Sequence, residues 1–296
     1  MPKAKLSDVE LDYELHGGPS GRPLVLLRGL GTQRIQWAPA FCQALVDEGH
    51  QLVVFDNRDV GLSTHLTAAG VPDLGAVVQA VREGKPPTVP YTLDAMADDV
   101  VGLMDALGWA SAHVAGISMG GMITQVVGYR HPERVRSLVP IMATTGNPAV
   151  PPPTSAALER LLSPAPEERN AYIEHSLAGA LVFGSPGYPL DQDAYRALAG
   201  RVFDRAFDPT GVARQFAAIQ AHGDRRPELA RIHAPTLVIH GLDDPLVSVQ
   251  GGRDTAASIP GADLLEIPGM GHDVPPGLHE QLASAIGDHT RKAEAS

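Results

Sequence analysis

The sequence has very little cysteine and a deficit of positive charge. Cys42 is the single cysteine among 296 residues, which excludes an internal disulfide and a zinc site built on several thiolates. Lys and Arg total 23 against 34 Asp and Glu, and the formal net charge is -11 at pH 7. Binding to nucleic acid depends on clustered cations, and no segment supplies them, so we expect no nucleic-acid partner.

Long apolar runs are missing as well. No stretch approaches the about 18 consecutive apolar residues of a membrane-spanning helix, and the first residues lack the apolar centre of a secretory signal. We therefore expect no membrane span and a cytoplasmic location. Hydrophobic residues still make up 44% of the chain and charged residues 19%, which is typical of a folded globular protein. Both a monomer and a homodimer remain open.

Short apolar runs alternate with helical patterns in two parts of the chain. The runs "PLVLLRG" and "QLVVFDNRD" flank a helical pattern with Trp37, Phe41 and Leu45 on one face. Continuous apolar strands are typical of a sheet covered on both faces, so the pattern predicts an α/β fold with parallel strands and crossover helices. Strand patterns disappear after three consecutive prolines that begin at Pro151 and resume at "PTLVIHG".

These changes in pattern predict the domain organisation. An α/β core is expected over residues 1–146 and 232–296, interrupted by a helical cap insertion over 147–231. A terminal helix is patterned on Leu278, Leu282 and Ile286. The last six residues, "RKAEAS", are expected to form a frayed tail.

The segment "GISMGG" contains a Gly-x-Ser-x-Gly pattern centred on Ser118, between a predicted strand and a predicted helix. Glycines at these positions permit a sharp turn and close packing, and the turn exposes the serine hydroxyl near a helix N-terminus. An alternative is a serine that only caps the helix. The cap explains the serine but not the glycine on either side, so we expect Ser118 to be a nucleophile.

A serine nucleophile needs a base and a group that orients the base. His272, in "PGMGHDVP", follows a late strand and precedes the last helix, whereas His240 ends a strand and is expected to be structural. The acid comes from "HGLDDPLV", where the spacing Gly-x-x-Asp favours Asp244 and leaves Asp243 as the alternative. The order serine, acid, histidine at successive strand ends matches one known arrangement of the catalytic triad.

Acyl transfer also requires donors for an oxyanion. The backbone N–H of Met119, directly after the nucleophile, is one expected donor. The second is expected from the glycine-flanked turn "RGLG", where the Leu30 amide can point at the same position. An ordinary strand-to-helix turn at Leu30 is the alternative.

Together, "RGLG", "DNRDVGLS", "GISMGG", "HGLDDP" and "GMGH" resemble the α/β-hydrolase superfamily in content and order. Within it, "FDNRDVGLST" and "AGISMGGMITQ" are similar to bacterial carboxylesterases and to aclacinomycin methylesterase-like hydrolases. The resemblance implies an eight-stranded, mostly parallel sheet, a helical cap and no cofactor or metal. It also implies that the turn containing Asp56 and Asp59 is scaffold. Many members have His-Gly where this chain has Arg28-Gly29, which leaves the shape of the oxyanion site open.

The expected activity is hydrolysis of small to medium, largely apolar carboxylic esters through an acyl-enzyme. Lactone hydrolysis is the main alternative, followed by hydrolysis of carbon–carbon bonds and peracid formation, because the same triad serves all of them. A ligand-binding protein without turnover is a further alternative. Candidate residues for an apolar substrate pocket are aromatic, and packing within the cap or anchoring of a helix is their alternative role: Trp37, Phe183, Tyr188, Phe203 and Phe216.

Overall fold

The computed structural model describes residues 2–295, which contain one mixed eight-stranded sheet. Its strands are β1 (Lys3–Lys5), β2 (Glu10–His16), β3 (Arg22–Leu27), β4 (His50–Phe55), β5 (Ala112–Ile117), β6 (Val135–Ile141), β7 (Leu237–Gly241) and β8 (Asp263–Ile267). They lie in the order β1-β2-β4-β3-β5-β6-β7-β8. Strands β1 and β2 pair antiparallel, as do β2 and β4, and the other neighbours are parallel. The prediction of a mostly parallel, eight-stranded sheet is confirmed.

Helices cover both faces of the sheet and fill the long connection between β6 and β7. Those outside this connection are α1 (Pro39–Asp47), α2 (Leu74–Arg82), α3 (Leu93–Ala106), α4 (Met119–Arg130), α10 (Val249–Ser258) and α11 (His279–Ala295). Between β6 and β7 lie α5 (Ser155–Leu162), α6 (Arg169–Phe183), α7 (Gln192–Arg205), α8 (Pro209–His222) and α9 (Arg226–Leu229). We call residues 147–231 the cap segment, and its boundaries stay a prediction.

The core has two apolar layers, one on each face of the sheet. Along β3, Leu24 and Leu26 face the layer that contains α1 and α11, whereas Val25 and Leu27 face the layer that contains α3 and α4. Alternate residues of a strand point to opposite faces, so a strand buried on both faces must be apolar throughout. Complete burial of one such side chain contributes about 2 kcal/mol, which makes β3 a firm support for the turn that follows it.

The carboxyl ends of the parallel strands meet at one edge of the sheet. Gly29 lies just beyond β3, Ser118 directly follows β5, Asp244 follows β7 and His272 follows β8. Strand β5 is hydrogen-bonded to β3 on one side and to β6 on the other. The parallel topology thus gathers residues that are up to 243 positions apart, the separation of Gly29 and His272, at one end of the molecule.

The prediction of a frayed tail was wrong for residues 291–295, which continue α11. Two side chains of this segment make surface ion pairs with distant parts of the chain: Arg291 Nη1 lies 2.7 Å from Glu48 Oε2, and Arg136 Nη1 lies 2.9 Å from Glu294 Oε1. Ser296 lies outside the described residues.

Within residues 2–295, no helix combines the length and apolar character needed to cross a bilayer.

Candidate active site

Ser118 occupies a strained turn between β5 and α4. Its φ is +56° and ψ is -121°, a region that non-glycine residues rarely adopt and that costs about 1–3 kcal/mol. The amide of Ser118 donates to the Ile141 carbonyl at 2.9 Å, which ties the turn to neighbouring β6. The Ser118 hydroxyl makes no capping hydrogen bond to α4. The geometry therefore argues against the role of a simple helix cap.

The two flanking glycines leave no room for side chains. A Cβ at Gly116 would lie 2.4 Å from the Gly120 carbonyl oxygen, and a Cβ at Gly120 would lie 2.6 Å from the Leu27 carbonyl oxygen. Both contacts are with backbone atoms, which cannot rotate away. The strand, the turn and the helix can approach this closely only with glycine at both positions.

His272 and Asp244 form a hydrogen-bonded pair. Asp244 Oδ2 lies 2.7 Å from His272 Nδ1, and Asp244 Oδ1 accepts from the amides of Leu246 and Val247 at 2.9 and 2.8 Å. Burial alone would raise the pKa of the Asp244 carboxyl, but the charge and hydrogen bond of His272 outweigh it and hold this pKa below its usual value. An ionised carboxylate can only accept, so His272 Nδ1 carries the proton and Nε2 is left as the basic nitrogen.

The alternative acid and the second histidine have different surroundings. Asp243 Oδ2 accepts from the Gly269 amide at 2.8 Å, so its carboxylate braces the histidine loop from outside. His240 is fully buried; its Nε2 lies 2.8 Å from the Val247 carbonyl oxygen and 3.6 Å from Asp244 Oδ2. His240 therefore packs behind Asp244, in a structural position.

The loop that carries His272 is held by the cap segment. The His272 amide donates to the Phe183 carbonyl at 2.7 Å, and the Gly271 amide donates to Ser185 Oγ at 2.8 Å. Ser185 Oγ in turn donates to the carboxylate of Asp273. Sequence reasoning missed Ser185, because nothing local marks a serine whose partners lie more than 80 residues away.

The turn after β3 lies directly against the serine. A Cβ at Gly29 would be 3.1 Å from Ser118 Cβ and 3.5 Å from Ser118 Oγ, so the backbone of this turn faces the hydroxyl. Within residues 2–295, neither the Leu30 nor the Met119 amide donates a hydrogen bond. Both expected oxyanion donors are thus free. The next amide, that of Gly31, is already engaged by Gln215 Oε1 at 2.8 Å, a contact from the cap segment that sequence reasoning missed.

Ser118 and His272 line the same cavity, which has a volume of about 850 Å³. Of the five aromatic candidates, Trp37, Phe183 and Phe216 also line it. Tyr188 and Phe203 do not: Tyr188 packs on the histidine loop and apolar core, and Phe203 stacks in an aromatic group whose ring centroids lie 5.0–5.2 Å apart. The expectation that these two line the pocket is corrected, because Tyr188 packs against the histidine loop and Phe203 packs against other aromatic rings of the cap segment.

Arg28, at the position where the resemblance implies a histidine in many members, lines the cavity wall. The guanidinium Cζ lies 4.6 Å from the centre of the Trp37 ring. Burial lowers the pKa of Arg28 to about 10, which still leaves it charged at pH 7. At this position the chain therefore has a cation stacked on an aromatic ring.

The acidic turn after β4 is engaged within the fold. Arg34 and Leu62 donate backbone hydrogen bonds to Asp56 at 2.7 and 2.9 Å, and Arg214 donates to both carboxylate oxygens of Asp59 at 2.8 Å. Arg205 Nη1 lies 2.6 Å from Asp56 Oδ2, so both buried carboxylates have an arginine partner, which fits the expected scaffold role.

Comparison with known proteins identifies the family. The family described as "alpha/beta hydrolase fold" matches residues 22–275, and this chain belongs to that family. Rhodomycin D methylesterase DauP of Streptomyces sp. (strain C5) is 30% identical, over 97% of this chain and 96% of its own. RutD of Caulobacter vibrioides, named as a proposed carbamate hydrolase, is 34% identical over 93% and 95%. The enol-lactonase of Burkholderia xenovorans LB400 has the same fold, with a TM-score of 0.69, 24% identity and full coverage of both chains.

Proposed function

We propose that the protein is a serine hydrolase that cleaves carboxylic esters through an acyl-enzyme. One observation carries the proposal: a serine on a strained turn, whose hydroxyl makes no capping hydrogen bond, lines the same cavity as a histidine that is hydrogen-bonded to an aspartate. Such a set supplies a nucleophile, a base and the group that orients the base. The methylesterase relative supports ester hydrolysis as the reaction class.

In the first step, Ser118 Oγ attacks the ester carbonyl carbon while His272 Nε2 takes the hydroxyl proton. Asp244 stabilises the imidazolium that forms, because its carboxylate remains ionised at 2.7 Å from Nδ1. The carbonyl oxygen becomes an oxyanion that accepts hydrogen bonds from the free amides of Leu30 and Met119. Loss of one such donor typically costs about 10²–10³-fold in kcat.

The tetrahedral intermediate then collapses. The bond between the carbonyl carbon and the leaving oxygen breaks, and His272 Nε2 returns its proton to that oxygen to release the alcohol. Water, deprotonated by the same nitrogen, attacks the acyl-enzyme and releases the carboxylic acid. Ser118 recovers its proton, so no cofactor or second substrate other than water is required.

The dimensions of the cavity favour small to medium substrates. Its volume of about 850 Å³ lies within the range of about 300–1,000 Å³ that is common for small-molecule sites, and Trp37, Phe183 and Phe216 contribute apolar surface. An acyl or alcohol group can therefore be buried beside Ser118.

Replacement of Ser118 by alanine tests the proposal. The Ser118→Ala variant should fold normally and lose at least about 10³-fold in kcat on an activated ester, because the triad acts as a unit. A fluorophosphonate probe should label the parent and not this variant. Ser163→Ala is the matched control, since Ser163 lines the same cavity away from the turn. Parent-like turnover by Ser118→Ala, or equal loss in both variants, would refute the assignment.

A substrate panel distinguishes the reaction classes. p-Nitrophenyl esters from acetate to decanoate should be run beside simple lactones and a p-nitrophenyl carbamate. The proposal expects the highest kcat/KM for an ester. A lactone preference of tenfold or more would replace the esterase assignment, and binding of every compound without turnover would indicate a ligand-binding protein.

A further inference from the structure

Arg28 is a partly buried cation without an anionic partner. Its Nε is enclosed and has no hydrogen-bond partner, and its side chain makes no ion pair within residues 2–295. The titratable groups that act on it are Tyr195 and Cys42, both neutral at pH 7, because burial raises the pKa of each. By contrast, buried Arg58 and Arg214 each hold a carboxylate through two hydrogen bonds of 2.7–2.8 Å.

An unpaired charge that is partly removed from water destabilises a protein unless a ligand or solvent compensates it. The face of Trp37 offsets part of the cost, since a cation over an aromatic ring gains about 0.5–2 kcal/mol. Trp37 Nε1 is itself buried without a hydrogen-bond partner. Guanidinium and indole N–H groups are donors only, so two neighbouring residues in this wall lack an acceptor.

Arg28, with its unpaired donor, lies close to the proposed reaction site. Arg28 directly precedes Gly29, where an added Cβ would lie 3.1 Å from Ser118 Cβ. Both Arg28 and Ser118 line the cavity. The carboxylates of the lining are Asp191, which is exposed, and Asp273, which accepts from Ser185. Neither is among the groups that act on Arg28. A negative group that meets the guanidinium must therefore arrive with a ligand.

The matching chemistry is a carboxylate. The planar guanidinium presents its donors in a fork that fits the two oxygens of a carboxylate, and such charge-assisted pairs are about twice as strong as neutral hydrogen bonds. Buried Trp37 and Phe41 line the same cavity, and the low dielectric of such apolar side chains strengthens a charge pair beside them.

We propose that Arg28 makes the site selective for esters that carry a second, ionised carboxylate on the acyl or alcohol part. This inference rests on the proposed ester hydrolysis and names the substrate class within it. Arg28 binds the distal carboxylate while Ser118 attacks the ester carbonyl. The substrate is then held at two points, which orients the carbonyl toward the nucleophile.

The test compares two substrates of equal chain length, the p-nitrophenyl monoester of glutaric acid and p-nitrophenyl valerate. The parent should prefer the charged ester in kcat/KM by at least about tenfold, as expected for one charge-assisted pair. In Arg28→Met this preference should fall by about 10–100-fold, mainly through a higher KM for the glutarate monoester. Arg28→Lys should be intermediate, since it keeps the charge and loses the fork. The ratio cancels any general loss of activity in a variant.

Arg160→Met is the matched control. Arg160 lines the same cavity, but its guanidinium already donates to the His175 carbonyl. Its removal should leave the substrate ratio within about threefold of the parent. Equal loss of the preference for the charged ester in Arg28→Met and Arg160→Met would overturn the assignment to Arg28. Such a result would mean that the preference arises from the electrostatic potential of the whole cavity.

Binding and stability supply readouts that do not depend on turnover. In calorimetric titrations, Ser118→Ala should bind glutarate at least tenfold more tightly than valerate, and the added substitution Arg28→Met should remove the difference. Arg28→Met should melt at the same or a higher temperature than the parent, since it removes an unpaired charge. A parent that hydrolyses valerate as well as the glutarate monoester, with a ratio unchanged in Arg28→Met, would overturn this inference and leave ester hydrolysis intact. Failure to hydrolyse either ester would count against the proposed function instead.

Discussion

Substitution of Asp244 by asparagine changes one carboxylate oxygen into an amide nitrogen and tests the proposed role of this residue. The orientation of the new amide can be worked out from its neighbours. Asp244 Oδ1 accepts from the Leu246 and Val247 amides, so the amide oxygen must occupy that position. The NH2 group then faces His272 Nδ1, where Oδ2 lies at 2.7 Å in the parent.

This orientation reverses the tautomer of His272. An NH2 group donates, so Nδ1 must give up its proton and accept, and the proton moves to Nε2. A protonated Nε2 cannot accept the proton of Ser118. The corresponding change in a serine protease lowers kcat by about 10⁴-fold with the geometry preserved, and we expect a loss of about 10³–10⁴-fold for Asp244→Asn.

The assay is kcat at pH 7–8 on an activated ester, with a melting temperature to verify folding. Asp243→Asn is the control, because Asp243 contacts the Gly269 amide and not His272; it should stay within about fivefold of the parent. A value of kcat for Asp244→Asn within tenfold of the parent, or a larger loss in Asp243→Asn, would refute the tautomer argument and the assignment of the acid.

Two further predictions concern stability. Gly120→Ala places a Cβ 2.6 Å from the Leu27 carbonyl oxygen, so it should lower the free energy of unfolding in urea by about 1–3 kcal/mol and reduce kcat. Gly18→Ala is the control and should be neutral, because its Cβ meets no atom within 4 Å. Equal stability of the two variants would contradict the packing argument. Burial lowers the pKa of His222 to about 4, against about 6.5 in the unfolded chain, so the unfolded state binds the extra proton between these values. His222 should therefore lower the free energy of unfolding by up to about 3 kcal/mol as the pH drops from 6.5 to 4. His222→Gln should make this fall with pH smaller. If the free energy of unfolding depends on pH equally in the parent and in His222→Gln, the lowered pKa of His222 is refuted.

The main architecture could be predicted because its signals are local. Continuous apolar strands such as β3 and β4 are written in adjacent residues, and the glycine pattern around Ser118 describes a turn only a few residues long. The choice of Asp244 over Asp243 followed from its spacing after Gly241, and the structure places Asp244, not Asp243, against His272. The tail was mispredicted because the partners of Arg291 and Glu294 lie in distant segments.

The sequence by itself determined the α/β pattern, the glycine-flanked serine and the order in which serine, aspartate and histidine follow their strands. Only the tertiary structure decided which side chains meet inside the cavity. Phe183 lines it and Phe203 does not, the cap segment supports the histidine loop through Ser185, and Arg28 stacks on Trp37 without a carboxylate. The physical reason is range: strand, turn and helix preferences arise between near neighbours, whereas burial and charge pairing depend on segments that come together only when the chain folds.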